Sequence, residues 1–151
     1  MNLRLLILET LLAIEKEDTP AGLIIRQVMD KYDYLDKQER SFVKRVLEGT
    51  VERQLELDHI IDSYSKVKAK KLKPVIRAIM RMSVYQLKYM DAVPDSAVCN
   101  EAVKLASKKG FSSLKGFVNG VLRNIARDMD NITYPDEGTP EGLSVKFSCP
   151  L

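Results

Sequence analysis

Between Pro74 and Leu87 the apolar residues stand at Ile76, Ile79, Met80, Val84 and Leu87. Steps of three and four residues set all five on one side of an α-helix, which a strand cannot do. Comparable spacing recurs from Leu3 to Arg127, and no alternating run competes before Leu143 to Phe147. A chain patterned this way buries its stripes helix against helix, so the expected fold class is all-α. With 151 residues, 45% of them hydrophobic, there is material for a single core and a single domain.

About seven helices follow from the pattern. The first spans Leu3 to Lys16, with Leu5, Leu8 and Leu12 on one face and Leu11 beside them. Apolar groups cover much of its circumference, which places it centrally. Thr19-Pro20 is a start signal, a hydroxyl cap followed by proline at the first helical position. The second helix then runs to about Tyr32, with Leu23, Ile24, Gln27 and Val28 inward. Asp36 and Glu39 form a capping box ahead of a third helix that buries Phe42, Val43, Val46, Leu47 and Val51. Gly49 lies inside it at a cost of ~1 kcal/mol relative to alanine, which a close helix–helix contact would explain. A short fourth helix occupies Glu56 to Tyr64, and Lys66 to Lys73 is a connector or helix start. Pro74 opens the fifth helix, Asp91 to Asp95 loops, and the sixth runs from Ser96 to Lys109. Gly110 ends it as a left-handed cap, and Ser112 or Ser113 caps the seventh. In that last helix, GFVNGVLRNIAR, the stripe is Phe117, Val118, Val121, Leu122 and Ile125. Asn119, Arg123 and Arg127 stand in line four residues apart. After Met129 the periodicity dissolves among glycines and prolines.

Most chemistries lack their residues. Cys99 and Cys149 are far apart and His59 is the lone histidine, so no ordinary zinc site is expected and no metal ligand is assigned. The cysteine usage fits a reduced, cytoplasmic protein. The apolar N-terminus is interrupted by Glu9 and has no small-residue cleavage pattern, so it reads as a buried helix. No apolar run reaches the ~18–20 residues that span a membrane. There is no glycine-rich phosphate loop and no nucleophile with a base at hand, and the carboxylate pairs Glu15/Glu17 and Asp33/Asp36 have surface spacing. No catalytic residue is assigned, and no cofactor is expected in this chain.

Charge is the remaining signal. The net value is only +3, but its distribution is uneven. Lys66 to Arg77 holds six basic residues and no acid; Ala102 to Arg127 holds six more and again no acid. Lys73, Arg77 and Arg81 recur every four residues on one helix line, with Lys70 a turn earlier. Such a line can track a phosphate backbone by displacing counterions. The competing reading is a solvated face whose Arg77 or Arg81 pairs with acids on the first three helices. Candidate RNA-binding residues are therefore Lys68, Lys70, Lys71, Lys73, Arg77 and Arg81, and a second set of Lys108, Lys109, Lys115, Arg123 and Arg127. Aromatic residues near them are sparse (Tyr85, Tyr89 and Phe111), which favours recognition of RNA shape and backbone over base stacking. Asn119 is expected to tie a neighbouring element to the core, a structural role like that of Gly110. Arg123 and Arg127 also suit the helix C-terminal dipole.

Two stretches, VPDSAVCNEAVKLASKKG and FVNGVLRNIAR, together resemble the NusB-type RNA-binding domain. DKQERSFVKRVLEGTVERQLELDHIID and IRAIMRMSVYQLKYMDAVP fall where the other helices of that family belong. The resemblance extends from about Leu3 to Arg127 and implies two small helical subbundles packed together. Two kinds of protein carry this domain: stand-alone antitermination factors, which bind RNA with a ribosomal protein, and the N-terminal extension of RsmB/Sun-type 16S rRNA cytosine-5 methyltransferases. Three features point to the second. Arg123 follows Leu122 where the factors commonly have an acid; the first helix carries only Arg4 where they start arginine-rich; and LSVKFSCPL resembles the lead into a methyltransferase domain. The implied organisation is an RNA-binding domain at 1–129, then a linker and the truncated start of a methyltransferase domain at 130–151. Catalysis and S-adenosylmethionine would belong to that following domain, and Cys149-Pro150 reverses the Pro-Cys order of its catalytic motif. The implied partners are small-subunit ribosomal RNA and the catalytic domain, with a second copy of the chain as a further candidate and no membrane. A free antitermination factor and a purely protein-docking helical module are the alternatives.

Overall fold

The computed structural model of the chain describes residues 1–129, and these form seven α-helices and two short 3-10 turns. The helices are α1 (Leu3–Lys16), α2 (Ala21–Lys31), α3 (Lys37–Glu52), α4 (Gln54–Tyr64), α5 (Pro74–Tyr89), α6 (Asp95–Lys108) and α7 (Lys115–Asp128). The expected linker and domain start at 130–151, with Cys149 and the alternating run from Leu143 to Phe147, lie outside the described residues. No helix among the described residues is long and apolar enough to cross a membrane.

Helices α1, α2 and α3 pack as one subbundle, and α4, α6 and α7 gather around α5 as the other. The centre is α5, which touches α1, α3, α4, α6 and α7. Ten of its residues, including Ile76, Ile79, Met80, Val84 and Leu87, are buried. The central position expected for α1 thus belongs to α5. A stripe broad enough to serve both subbundles needs apolar or small residues on nearly every side, and Ala78, Met82 and Ser83 provide it. In α1 the fully covered residues are Ile7 and Leu8, with Thr10 and Leu11 next, while Leu5 and Leu12 are half-buried.

Helix ends follow local chemistry closely. The Asp36 side chain accepts from the Glu39 amide at 2.8 Å, and Glu39 accepts from the Asp36 amide at 3.2 Å, completing the capping box. Pro74 is at the first position of α5. At the end of α6, Gly110 has φ +87°, its amide donates to Ser107, and the Phe111 amide donates to Ala106 at 2.8 Å. That is a Schellman closure, and it requires the left-handed residue expected at Gly110.

Three local readings change. Pro20 itself is the cap residue of α2 and no hydroxyl closes that turn. The seventh helix is entered through the turn Ser112–Leu114, with Leu114 at the cap, so neither serine caps it. The inward residues of α2 are Ile24, Ile25 and Met29, with Leu23 47% exposed. Leu23, Ile24 and Ile25 are contiguous, so the tertiary contacts with α1 and α3 decide which of them turns inward.

Gly49 is explained by contact. A Cβ there would overlap the Tyr85 ring, so the glycine lets α3 and α5 approach closely. Tyr85 stacks on Tyr89 with centroids 5.2 Å apart. Tyr89 in turn donates its hydroxyl to Glu56, which is 1% exposed and also pairs with Lys88 and with Arg53 at 3.4 Å. This clamp fastens the first turn of α4 to the last turn of α5, and its charges are paired as burial demands.

Candidate nucleic-acid interface

The first basic set splits in two. Lys68, Lys70, Lys71 and Lys73 are all exposed, and none has an acidic partner among the described residues. They surround the 3-10 turn Ala69–Lys71. Ala69 is buried, and its amide donates to the Asp62 carboxylate at 2.7 Å, which pins the turn to α4. A segment dense in like charge is thereby held in one shape instead of extending by self-repulsion. Each lysine presents an exposed ammonium, suited to neutralising phosphates without reading sequence.

Arg77 and Arg81 differ from the lysines. The Arg77 side chain is 13% exposed; it pairs with Glu15 of α1 and donates to the Leu72 carbonyl at 3.1 Å. Arg81, 14% exposed, makes a two-pronged pair with Asp58, Nε to Oδ1 at 2.7 Å and Nη2 to Oδ2 at 2.8 Å. Pairing with the first three helices is met for Arg77, whereas Arg81 turns to α4. Both guanidiniums bind elements together, and the cationic surface available to a large anion is carried by the lysines. Lys70, Arg77 and Arg81 nevertheless converge on one cleft of about 370 Å³.

The second set lies on the end of α6, the turn after it, and α7. Lys108 and Lys115 are exposed and Lys109 is half-buried. Arg123 is exposed yet oriented: its Nε donates to the Asn119 side-chain oxygen at 3.0 Å, and its Nη2 to the Asn100 side-chain oxygen at 2.8 Å. Arg123 thus ties α7 to α6 through Asn100, while Asn119 orients it from within α7. Two neutral acceptors hold the guanidinium without cancelling its charge, so it stays attractive to an anion. Arg127, 70% exposed in its side chain, donates to its neighbour Asp128 at 3.2 Å. Asp128 also touches Tyr64 of α4; burial, then that carboxylate, push the Tyr64 hydroxyl pKa up. Burial pushes the Cys99 thiol pKa up, against the opposing pull of Arg123.

Sequence reasoning missed several of these roles. Asn100 had no signal of its own, because its partner Arg123 comes from another helix 23 positions away. The outer face of α3 also carries Lys37, Lys44 and Arg45 along two adjoining grooves that share Ser41 and Lys44. Their period was visible, but acids interleave with them and dilute the charge. His59 is exposed.

Comparison with known proteins agrees with the fold. A probable ribosomal RNA small subunit methyltransferase B of Bacillus subtilis (strain 168) is 32% identical over 127 residues, covering 84% of this chain and 28% of that protein. The chain thus spans little more than a quarter of that relative's length. A transcription antitermination protein NusB of Bacillus velezensis is 31% identical over 125 residues, covering 82% of this chain and 92% of that one. Among solved structures, T. maritima NusB superposes with a TM-score of 0.75 at 26% identity, over 83% of this chain and 89% of that chain. Residues 1–127 match the NusB family as a whole, and the chain belongs to that family.

Proposed function

We propose that this chain binds small-subunit ribosomal RNA and serves as the RNA-positioning domain of an rRNA cytosine-5 methyltransferase. The observation that carries RNA binding is the pinned turn with Lys68, Lys70, Lys71 and Lys73 exposed and unpaired among the described residues. Such a cluster gains affinity by releasing the counterions of a nucleic-acid backbone. The target class is taken from the rRNA methyltransferase relative. In this reading catalysis and S-adenosylmethionine belong to a further domain, and the helical body holds rRNA so that one cytosine reaches it. Arg123, fixed by Asn100 and Asn119, supplies a second contact to rRNA or to that domain.

Charge reversal at the turn tests the proposal. Lys70→Glu with Lys73→Glu should weaken binding to rRNA fragments and flatten the dependence of log K on log salt, by roughly 0.7–0.9 for each phosphate no longer neutralised. Affinity and slope both unchanged would remove the turn from the interface. A second reading, a stand-alone antitermination factor, is favoured by the 92% coverage of the Bacillus velezensis protein. The reading frame beyond Leu151 separates the two: continuation into a Rossmann-like pattern with Pro-Cys and Thr-Cys motifs supports the methyltransferase, and a stop codon supports the factor.

A further inference from the structure

The cleft between α1, α3 and α5 retains capacity that its ion pairs do not consume. Leu11, Thr50 and Ala78 are buried in its wall, and Lys70, Arg77 and Arg81 bring positive charge to it. Its volume of about 370 Å³ falls inside the ~300–1,000 Å³ usual for small-molecule sites. Thr50 is 2% exposed, and its Oγ1 has no hydrogen-bond partner among the described residues. Burying a hydroxyl without a partner is unfavourable, and valine would fill the same shape at no such cost. A polar atom kept there makes sense if something else completes its hydrogen bond.

Charge indicates what that something is. Of the three cations that line the cleft, Arg77 is paired with Glu15 and Arg81 with Asp58, and Lys70 has no acidic partner among the described residues. Arg81 gives Nε and Nη2 to Asp58, which leaves Nη1 outside that pair. Arg77 is fixed by Glu15 and the Leu72 carbonyl. Because these bonds already hold both guanidiniums, an arriving anion has only the Lys70 side chain to order, and preorganisation of this kind favours binding. A rigid guanidinium fork matches phosphate oxygens, and the aliphatic wall suits the less polar body of the same ligand. We propose that this cleft takes one nucleoside monophosphate unit, with its phosphate toward Lys70 and Arg81 and its sugar or base toward Thr50 and the aliphatic wall. The unit comes from single-stranded RNA, which rests on the function proposed above, or from a free nucleotide.

The test uses the full 151-residue chain, isotope-labelled, titrated separately with uridine and adenosine monophosphates and with a short single-stranded oligoribonucleotide. Backbone amide shifts at Thr50, Gln54 and Ala78 are expected. Thr50→Val should bind roughly fivefold to tenfold more weakly while melting at the same temperature or higher, a combination that a purely structural hydroxyl would not give. Lys70→Ala should weaken binding as well. Cleft shifts produced by the oligonucleotide and reversed by mononucleotide support RNA as the source. Cleft shifts with mononucleotide alone support a free nucleotide, and they hold even if the chain binds no RNA, an outcome that removes the proposed function and not the cleft. No cleft shift with either probe, and Thr50→Val and Lys70→Ala binding as well as the unsubstituted chain, would overturn the proposal even if RNA binds elsewhere.

Discussion

Two side chains fix how α3, α4 and α5 meet, and each can be tested singly. Gly49 yields its place to the Tyr85 ring, which is buried and stacked on Tyr89. Gly49→Ala should therefore destabilise the chain by about 1–3 kcal/mol through overpacking, against the small gain that alanine brings to an open helix position. Denaturant unfolding measures it; a stabilised variant would mean that the two helices do not approach so closely. Glu56 is the buried anion of the clamp, held by Tyr89, Lys88 and Arg53. Glu56→Gln removes the charge that Lys88 and Arg53 pair with, and both of these are part-exposed and can take up water, so a loss of about 1–3 kcal/mol is expected in the same measurement. A loss below about 0.5 kcal/mol, the scale of an ordinary surface change, would show that the clamp is solvated. Neither role is stated by residue type alone. Gly49 was recognisable as anomalous, since glycine inside a helix carries a cost, but its partner is a residue 36 positions on. Glu56 stands at the expected start of the fourth helix, and nothing in its own stretch of sequence marks it as buried.

The helices were legible where their determinants are local. The Asp36–Glu39 box, Pro74 and Gly110 lie within a few residues of the bonds they make, and each element they bound was found. Gly110 gives a prediction at this scale. A Cβ there meets nothing within 4 Å, so the whole cost of Gly110→Ala is backbone strain at φ +87°, about 1–2 kcal/mol. Gly110→Asn should cost less, because asparagine tolerates that region better. Thermal unfolding of the two variants compares them, and equal losses would point to a packing effect instead. What was not legible depends on neighbours. Three consecutive apolar residues at Leu23 to Ile25 let α2 rotate by one position. The centrality of α5 arises from its being needed by both subbundles, which no property of its own sequence announces. The site divides in the same way. The lysine cluster could be read directly from the chain, whereas the withdrawal of Arg77 and Arg81 into pairs required Glu15 and Asp58 to be brought across from other helices.

At the scale of the molecule, a modest net charge of +3 conceals a body whose unpaired lysines concentrate on one pinned turn, while the arginines that follow it in sequence cement the packing. Association with RNA should then be driven by the surface lysines and be sensitive to salt, with sequence or shape preference supplied by fixed groups such as Arg123. The most direct measurement is binding of the 151-residue chain to small-subunit rRNA fragments at two salt concentrations, with tRNA as competitor. Binding that weakens steeply as salt rises and survives the competitor is the expected result. Absence of binding at low salt, or binding that tRNA removes completely, would contradict an rRNA-recognition role and leave the helical body as a docking partner for another protein domain.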